Sequence, residues 1–173
     1  MLLLWIAFLL SSLLWAQEEK DFLLTMKADT LYGKIKLDGR SNTIVFQYKG
    51  DKIPFHASTF EHFGIYQKGK YRTYKTIQNS VKEEIIVEVL TEGTLNLYRY
   101  DTTGDKRYGK GDNFRYFICE GDKIKMRVTP KSYKTILKLC IKTQPYLLAQ
   151  QIVYEDVPRI IEEYNDLTSL NSK

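Results

Sequence analysis

Cysteine is scarce in this 173-residue chain, which has only Cys119 and Cys140. Their separation rules out a C-x-x-C redox centre and a thiolate zinc knuckle. In an oxidising compartment the two are able to form one disulfide, tying a late strand to the tail. Two separate buried thiols are the other reading. Histidine is equally scarce, with His56 and His62 alone. Together with Glu61 they are the metal candidates, but a six-residue offset between the histidines fits none of the usual ligand spacings. No metal or cofactor is expected. There is no G-x-S-x-G, so a Ser-His-acid hydrolase lacks the serine on a strained turn that it needs. Ser58 is near His56 in sequence, which says little about proximity. Glu83-Glu84 and Glu162-Glu163 read as solvated charges. The stretch 104–112 lacks phosphate-loop spacing and opens no helix. No catalytic residue is assigned.

Tryptophan is missing beyond residue 15, since Trp5 and Trp15 are the only two. Tyrosine is abundant, with thirteen. Tyr lines sugar- and peptide-binding surfaces, although the stronger stacking platform of Trp is absent. Nor is there a block of one charge. Lys and Arg outnumber Asp and Glu by 26 to 21, an excess that favours acidic surfaces or polyanions. The longest basic stretch, residues 68–75, interleaves Lys68, Lys70, Arg72 and Lys75 with Tyr71 and Tyr74. Such alternation can bind single-stranded nucleic acid. In an exported chain it reads first as a strand with one solvated and one packed face, which argues against a nucleic-acid partner.

Long apolar runs are limited to one, at the start. Met1 to Ala16 has the length of a signal h-region, roughly 7–15 apolar residues, and is short of the about 20 that span a bilayer. Ala16 is small, as a residue before a cleavage point should be. The polar run Gln17, Glu18, Glu19, Lys20, Asp21 follows at once, as a mature N-terminus would. The n-region lacks Lys and Arg. No Cys follows the run, so no lipid anchor is expected. Removing the first 16 of 173 residues leaves 157, one ordinary domain. The expected location is periplasmic or secreted, with no other transmembrane segment.

All ten glycines lie between Gly33 and Gly121. The chain therefore divides into a β-rich body, 17–128, and a helical tail, 129–173, packed on it as a single domain. In the body, 22–27, 30–37, 43–48, 52–56, 60–67, 71–77, 84–90, 94–100, 114–120 and 123–128 read as short strands. Turn signals separate them at Ala28-Asp29, Asp38-Gly39, Lys49-Gly50, Lys68-Gly69, Glu92-Gly93 and Gly121-Asp122. Residues 101–113 read as an exposed hairpin loop. The fold class is α+β, mainly antiparallel β, with about 8–10 strands as a meander, sandwich or barrel-like sheet. A C-terminal segment of about two to three helices follows. In the tail, Lys131, Lys134, Lys138 and Lys142 share one helical face, read as the solvated side. Ile136, Leu137, Cys140 and Ile141 face elsewhere. A second short helix is expected through Pro145 to Gln151. The last has Asp156 as N-cap, Pro158 in its first turn, and Val157, Ile160, Ile161, Tyr164 and Leu167 as the face that meets the sheet.

Three stretches stand in a telling order behind the Ala-Gln leader end. They are 26–35 (MKADTLYGKI), 87–100 (VEVLTEGTLNLYRY) and 158–165 (PRIIEEYN). They resemble a set of small secreted proteins from Bacteroidetes with a "GDTlyGkI" opening, a "veGxxxLY" hairpin and an "iveeYN" helix. Ala28 departs from the pattern, which has Gly there; if the turn needs φ > 0, Ala strains it. The resemblance implies an envelope location and this fold, and it assigns no site residues. The expectation is thus an exported, non-catalytic protein whose partner is an envelope protein or the outer-membrane surface. A small-molecule carrier built as a barrel is the alternative. A hydrolase around His56, Ser58, Glu61 and His62 ranks third.

Overall fold

The computed structural model describes residues 20–37, 42–79, 82–102, 114–121, 123–140, 144–145 and 151–170. The expected leader, the Asp38-Gly39 turn, nearly all of the 101–113 loop and most of the helix expected over Pro145 to Gln151 lie outside the described residues.

Ten strands form, within two residues of the expected spans: β1 Asp21–Thr25, β2 Thr30–Leu37, β3 Thr43–Tyr48, β4 Asp51–His56, β5 Phe60–Gln67, β6 Lys70–Gln78, β7 Glu84–Thr91, β8 Asn96–Asp101, β9 Phe114–Glu120 and β10 Lys123–Val128. Two tight turns set their register. Lys49-Gly50 and Lys68-Gly69 have φ of 49° and 96°, and 51° and 84°. Positive φ at both positions gives a turn whose twist matches that of the strands. At the β1–β2 turn Ala28 has φ 64°, the strain that its sequence position foretold. Thr25 Oγ1 holds this turn by accepting from the Lys27 and Asp29 amides. Ala28→Gly should relieve the left-handed cost and raise stability by about 1 kcal/mol, read as a higher urea midpoint with unchanged slope.

All pairings are antiparallel, in the order β10-β9-β8-β7-β6-β5-β1-β2-β3-β4. Among the described residues the sheet is open, with β10 and β4 as its edges. Pro54 sits in β4, where an edge strand tolerates its missing donor. β2 divides its pairing: Thr30 to Gly33 pair with β1, and Lys34 to Leu37 with β3. Gly33 is the point of changeover. A Cβ there would lie 2.6 Å from Gln47 O and 2.6 Å from the Phe46 ring, so only glycine fits. Asp21 pins the same divergence. Its carboxylate accepts from Ile35 N–H at 2.7 Å and from Tyr66 N–H at 2.9 Å.

Beyond Gly33 the sheet folds over on itself. Ile35 of β2 and Ile44 and Phe46 of β3 pack with Leu23, Phe63, Ile65 and Tyr74 of β1, β5 and β6. The other half of this face is covered by the tail. Leu97, Tyr116, Ile118 and Val128 meet Ile136, Cys140, Tyr154, Val157, Ile160 and Ile161. We call it the helix face. A third cluster, Ile77, Ile85, Val87, Tyr98, Phe117 and Cys119, lies on the opposite face.

The tail departs from the expected two to three helices. Among the described residues a single long helix forms, α1 Val157–Leu170. Ahead of it stand a six-residue helical segment, Thr135–Cys140, and a 3-10 turn, Tyr154–Asp156. Six residues are too few for a helix to hold itself, since isolated helices below about 12–15 residues are marginal; burial of Ile136 and Cys140 fixes the segment instead. Lys131, Lys134 and Lys138 are exposed as expected, and Lys142 is outside the described residues. Asp156 ends the 3-10 turn and its carboxylate accepts from Val153 N–H at 2.9 Å, so it caps the turn rather than α1. Leu167, expected on the packed face, is 37% exposed, and Asn165 takes the buried position. Among the described residues no helix is long and apolar enough to cross a membrane.

Candidate functional site

The residues singled out for chemistry do not assemble into a catalytic or metal site. His56 closes β4 and serves as cap of the 3-10 turn Ala57–Thr59. Its Nδ1 accepts from Ser58 N–H at 3.3 Å and lies 3.0 Å from Ser58 Oγ. Glu84 Oε2 stands 4.0 Å from the same Nδ1. A serine–histidine–acid relay needs the hydroxyl on one ring nitrogen and the acid on the other. Here both address one nitrogen, so the contact caps a turn. His62 lies on β5, edge-on to Phe22 at 5.9 Å. Among the described residues no three His, Cys, Asp or Glu side chains gather as a metal set. Ser58, Glu61 and Glu84 line an open groove of about 450 Å³ floored by Ala57, Phe60 and Ile77.

The two cysteines form no disulfide and are both buried, so of the two readings left open by the sequence the bonded pair is corrected and the separate buried thiols stand. Cys140 packs on the helix face with Ile118, whereas Cys119, next along β9, points to the opposite face with Phe117. Successive strand residues alternate faces, so the sheet itself separates the two sulfurs. Burial also pushes the Cys140 thiol up to about 11. Native protein should leave both thiols unlabelled by a thiol-exchange dye and release two equivalents only in denaturant. Rapid native labelling of Cys140 would contradict the packing.

The basic, Tyr-bearing stretch of β6 is less simple than a solvated face over a packed one. Arg72 and Tyr74 point to the helix face, and Tyr71 and Lys75 to the other. On the helix face a single transverse row runs Leu23, Phe63, Tyr74, Glu88, Arg99, Tyr116, Val128 across β1 and β5 to β10. Its centre is charged. Arg72 Nε donates to Glu88 Oε1 at 2.8 Å and Nη2 to Oε2 at 2.6 Å, while Arg99 Nε donates to Oε2 at 2.9 Å. The Glu88 side chain is 10% exposed and both arginine side chains 33%. Burial alone pushes the Glu88 carboxyl up, but the two arginines outweigh it and hold it below its ordinary value. This cluster is internally satisfied and joins the two halves of the helix-face core.

The opposite face of β2, β1, β5 and β6 is the open one. Alternation and register put Tyr32 opposite Phe22, Phe22 opposite Gly64, and Tyr66 opposite Tyr71. The Phe22 ring lies over Gly64, where a Cβ would come within 2.2 Å of it. Phe22 and Tyr71 centroids are 5.4 Å apart, and Tyr66 and Tyr71 5.1 Å. The Tyr71 hydroxyl donates to Lys20 O at 3.1 Å. Tyr32 is 59% and Tyr71 43% exposed. Lys34 and Lys36 follow Tyr32 on the same side of β2 and are exposed. Asp21 points the other way. On this side β2, β1 and β6 carry no carboxylate, while Glu61 of β5 is exposed at the bulge facing Leu24 and Thr25 and lines the groove with Lys75. The sequence hid this cluster because its members come from four strands, one of them paired non-locally. The signal that could have found it is Tyr32 and Tyr71 each standing at an alternate position beside lysine.

No family model, no curated protein and no solved structure matches this chain.

Proposed function

We propose that the chain is an exported, non-catalytic binding protein of the cell envelope, working through contact between the open face of β2, β1, β5 and β6 and an envelope surface. The observation that carries this reading is the aromatic cluster of Phe22, Tyr66 and Tyr71, with exposed Tyr32 opposite Phe22 and Lys34 next on the same side. Large exposed aromatics in one patch mark interaction sites rather than ordinary surface. The leader pattern of residues 1–16 supports export. The geometry at His56 supports the non-catalytic part, because its neighbours share one ring nitrogen. The carrier reading finds less support. It needs a closed barrel around a cavity, and the described sheet has two edges and a groove open to solvent.

The test is cosedimentation of the purified mature chain with washed envelope fragments. The wild type should pellet with them. A variant carrying Tyr32→Ser, Lys34→Glu and Tyr71→Ser should stay in the supernatant with its circular dichroism unchanged. Equal pelleting of the two would end the proposal for this face.

A further inference from the structure

We infer that the occupant of this face is an acidic polysaccharide, an inference that rests on the surface-binding reading above and names its ligand. Three features of the face select that chemistry. The first is the kind of aromatic. Tyr32 and Tyr71 combine an apolar ring with a hydroxyl at its tip. Such a group covers the C–H face of a sugar ring and can exchange hydrogen bonds with its hydroxyls. The second is charge. Lys34 follows Tyr32 on the same side of β2, Lys36 comes one step further along, and both are exposed. Lys75, further along the same side, is drawn 3.6 Å from Glu92. β2 contributes only cations beside Tyr32, and their field suits an anionic partner at this end of the cluster. The third is shape. From β2 to β6 the cluster crosses three interstrand steps, or about 14 Å at the usual strand spacing. It is open along its length, which suits an extended polymer better than an enclosed small molecule.

An anionic membrane surface also attracts lysine and tyrosine, but it gains most of its affinity from inserted hydrocarbon, about 0.8 kcal/mol per CH₂. The exposed aliphatic side chains of this protein, such as Leu37 and Ile53, are not among the outward residues of this cluster. The sugar polymer is therefore favoured. Phe22 and Tyr71 are also positioned before binding, by Gly64 beneath Phe22 and by the Tyr71–Lys20 hydrogen bond, which lowers the ordering cost of association at that end of the cluster.

The experiment is affinity electrophoresis and calorimetry of the mature chain with polygalacturonate. Dextran serves as neutral sugar, poly-glutamate as charge without sugar, and phosphatidylglycerol vesicles as anionic lipid. Polygalacturonate should bind at least about tenfold more tightly than the other three. Tyr32→Ala should weaken it about tenfold with no change in thermal midpoint. Lys34→Gln with Lys36→Gln should weaken it and flatten its salt dependence. Equal retention by poly-glutamate, tighter binding to vesicles, unchanged binding by Tyr32→Ala, or no binding to polygalacturonate would each overturn the inference. The cosedimentation test separates the two failures. If the face variant loses envelope binding while polygalacturonate is ignored, the ligand is wrong and the surface reading stands. If the variant still pellets, both fall.

Discussion

Glu88→Gln should cost about 3 kcal/mol at neutral pH, because it leaves Arg72 and Arg99 facing each other across a neutral amide. Removing one partner of a buried ion pair strands the other charge, and here two are stranded. The loss should depend on pH in a defined direction. The arginines hold the folded-state Glu88 carboxyl below its ordinary value, so the ion cluster contributes fully above the unfolded glutamate pKa of about 4.3. That contribution disappears as pH falls through the lower folded value. Urea midpoints of wild type and Glu88→Gln should therefore differ most near pH 7 and converge in acid. A constant difference down to strongly acidic pH would show that the carboxylate charge is not what stabilises the centre of the row. Replacing Arg72, Glu88 and Arg99 together by apolar residues of similar volume should cost less than Glu88→Gln alone, since no charge is then left unpaired.

Asn165→Ala should be nearly as damaging, with a loss of about 3 kcal/mol. Asn165 lies on α1 and is 7% exposed. Its Oδ1 accepts from Leu95 N–H at 2.9 Å and its Nδ2 donates to Leu95 O at 2.8 Å. One side chain thus satisfies both backbone groups of a residue where the β7–β8 connection leaves the ladder. Alanine would leave both without that partner. Gly93 is part of the same joint, since a Cβ on it would lie 2.7 Å from Asn165 Cγ. Gly93→Ala should therefore destabilise the wild type clearly and the Asn165→Ala variant less, since only the contact with the residue-165 Cβ, 3.0 Å away, then remains. A double-mutant cycle measures that coupling, and additive effects would sink the proposed contact.

This joint also links two of the three stretches singled out in the sequence. The glycine of the 87–100 hairpin and the asparagine of the 158–165 helix touch each other, so both are read here as docking residues. The third stretch supplies the Ala28 turn and the Gly33 changeover. Ala28, Gly33, Gly93 and Asn165 serve the fold, which is why these stretches pointed to architecture first.

The strands and their two-residue turns were legible because alternation and Lys-Gly pairs are local signals, and each of the ten spans was readable from its own residues. What could not be read was the neighbour of β1. A hairpin rule pairs each strand with the next, and β1 lies between β2 and β5. Hydrophobic alternation in β1 fits either partner equally. The fold-over at Gly33 was hidden for a related reason. The glycine looked like part of an ordinary strand, and the clash with Phe46 and Gln47 exists only once β3 has turned back. Asn165 was missed because the helical period assigns the packed face to apolar residues, and Leu167 satisfied that rule on paper. The disulfide expectation failed on parity: odd and even positions of β9 look to different sides.

The place of β1 has a kinetic consequence. Eight of the nine strand pairings join neighbours in sequence, and only β1–β5 does not. Local hairpins close quickly, and loop-closure entropy is concentrated in the one distant pairing. Asp21 makes this concrete, since its carboxylate bonds the Tyr66 amide 45 residues later. Two half-sheets, β2 to β4 and β5 to β10, can each form on their own, and β1 is the strand that splices them. The folding barrier should therefore be set by the arrival of one five-residue strand, and mutations in β1 should slow folding where those in the distal hairpins mainly speed unfolding.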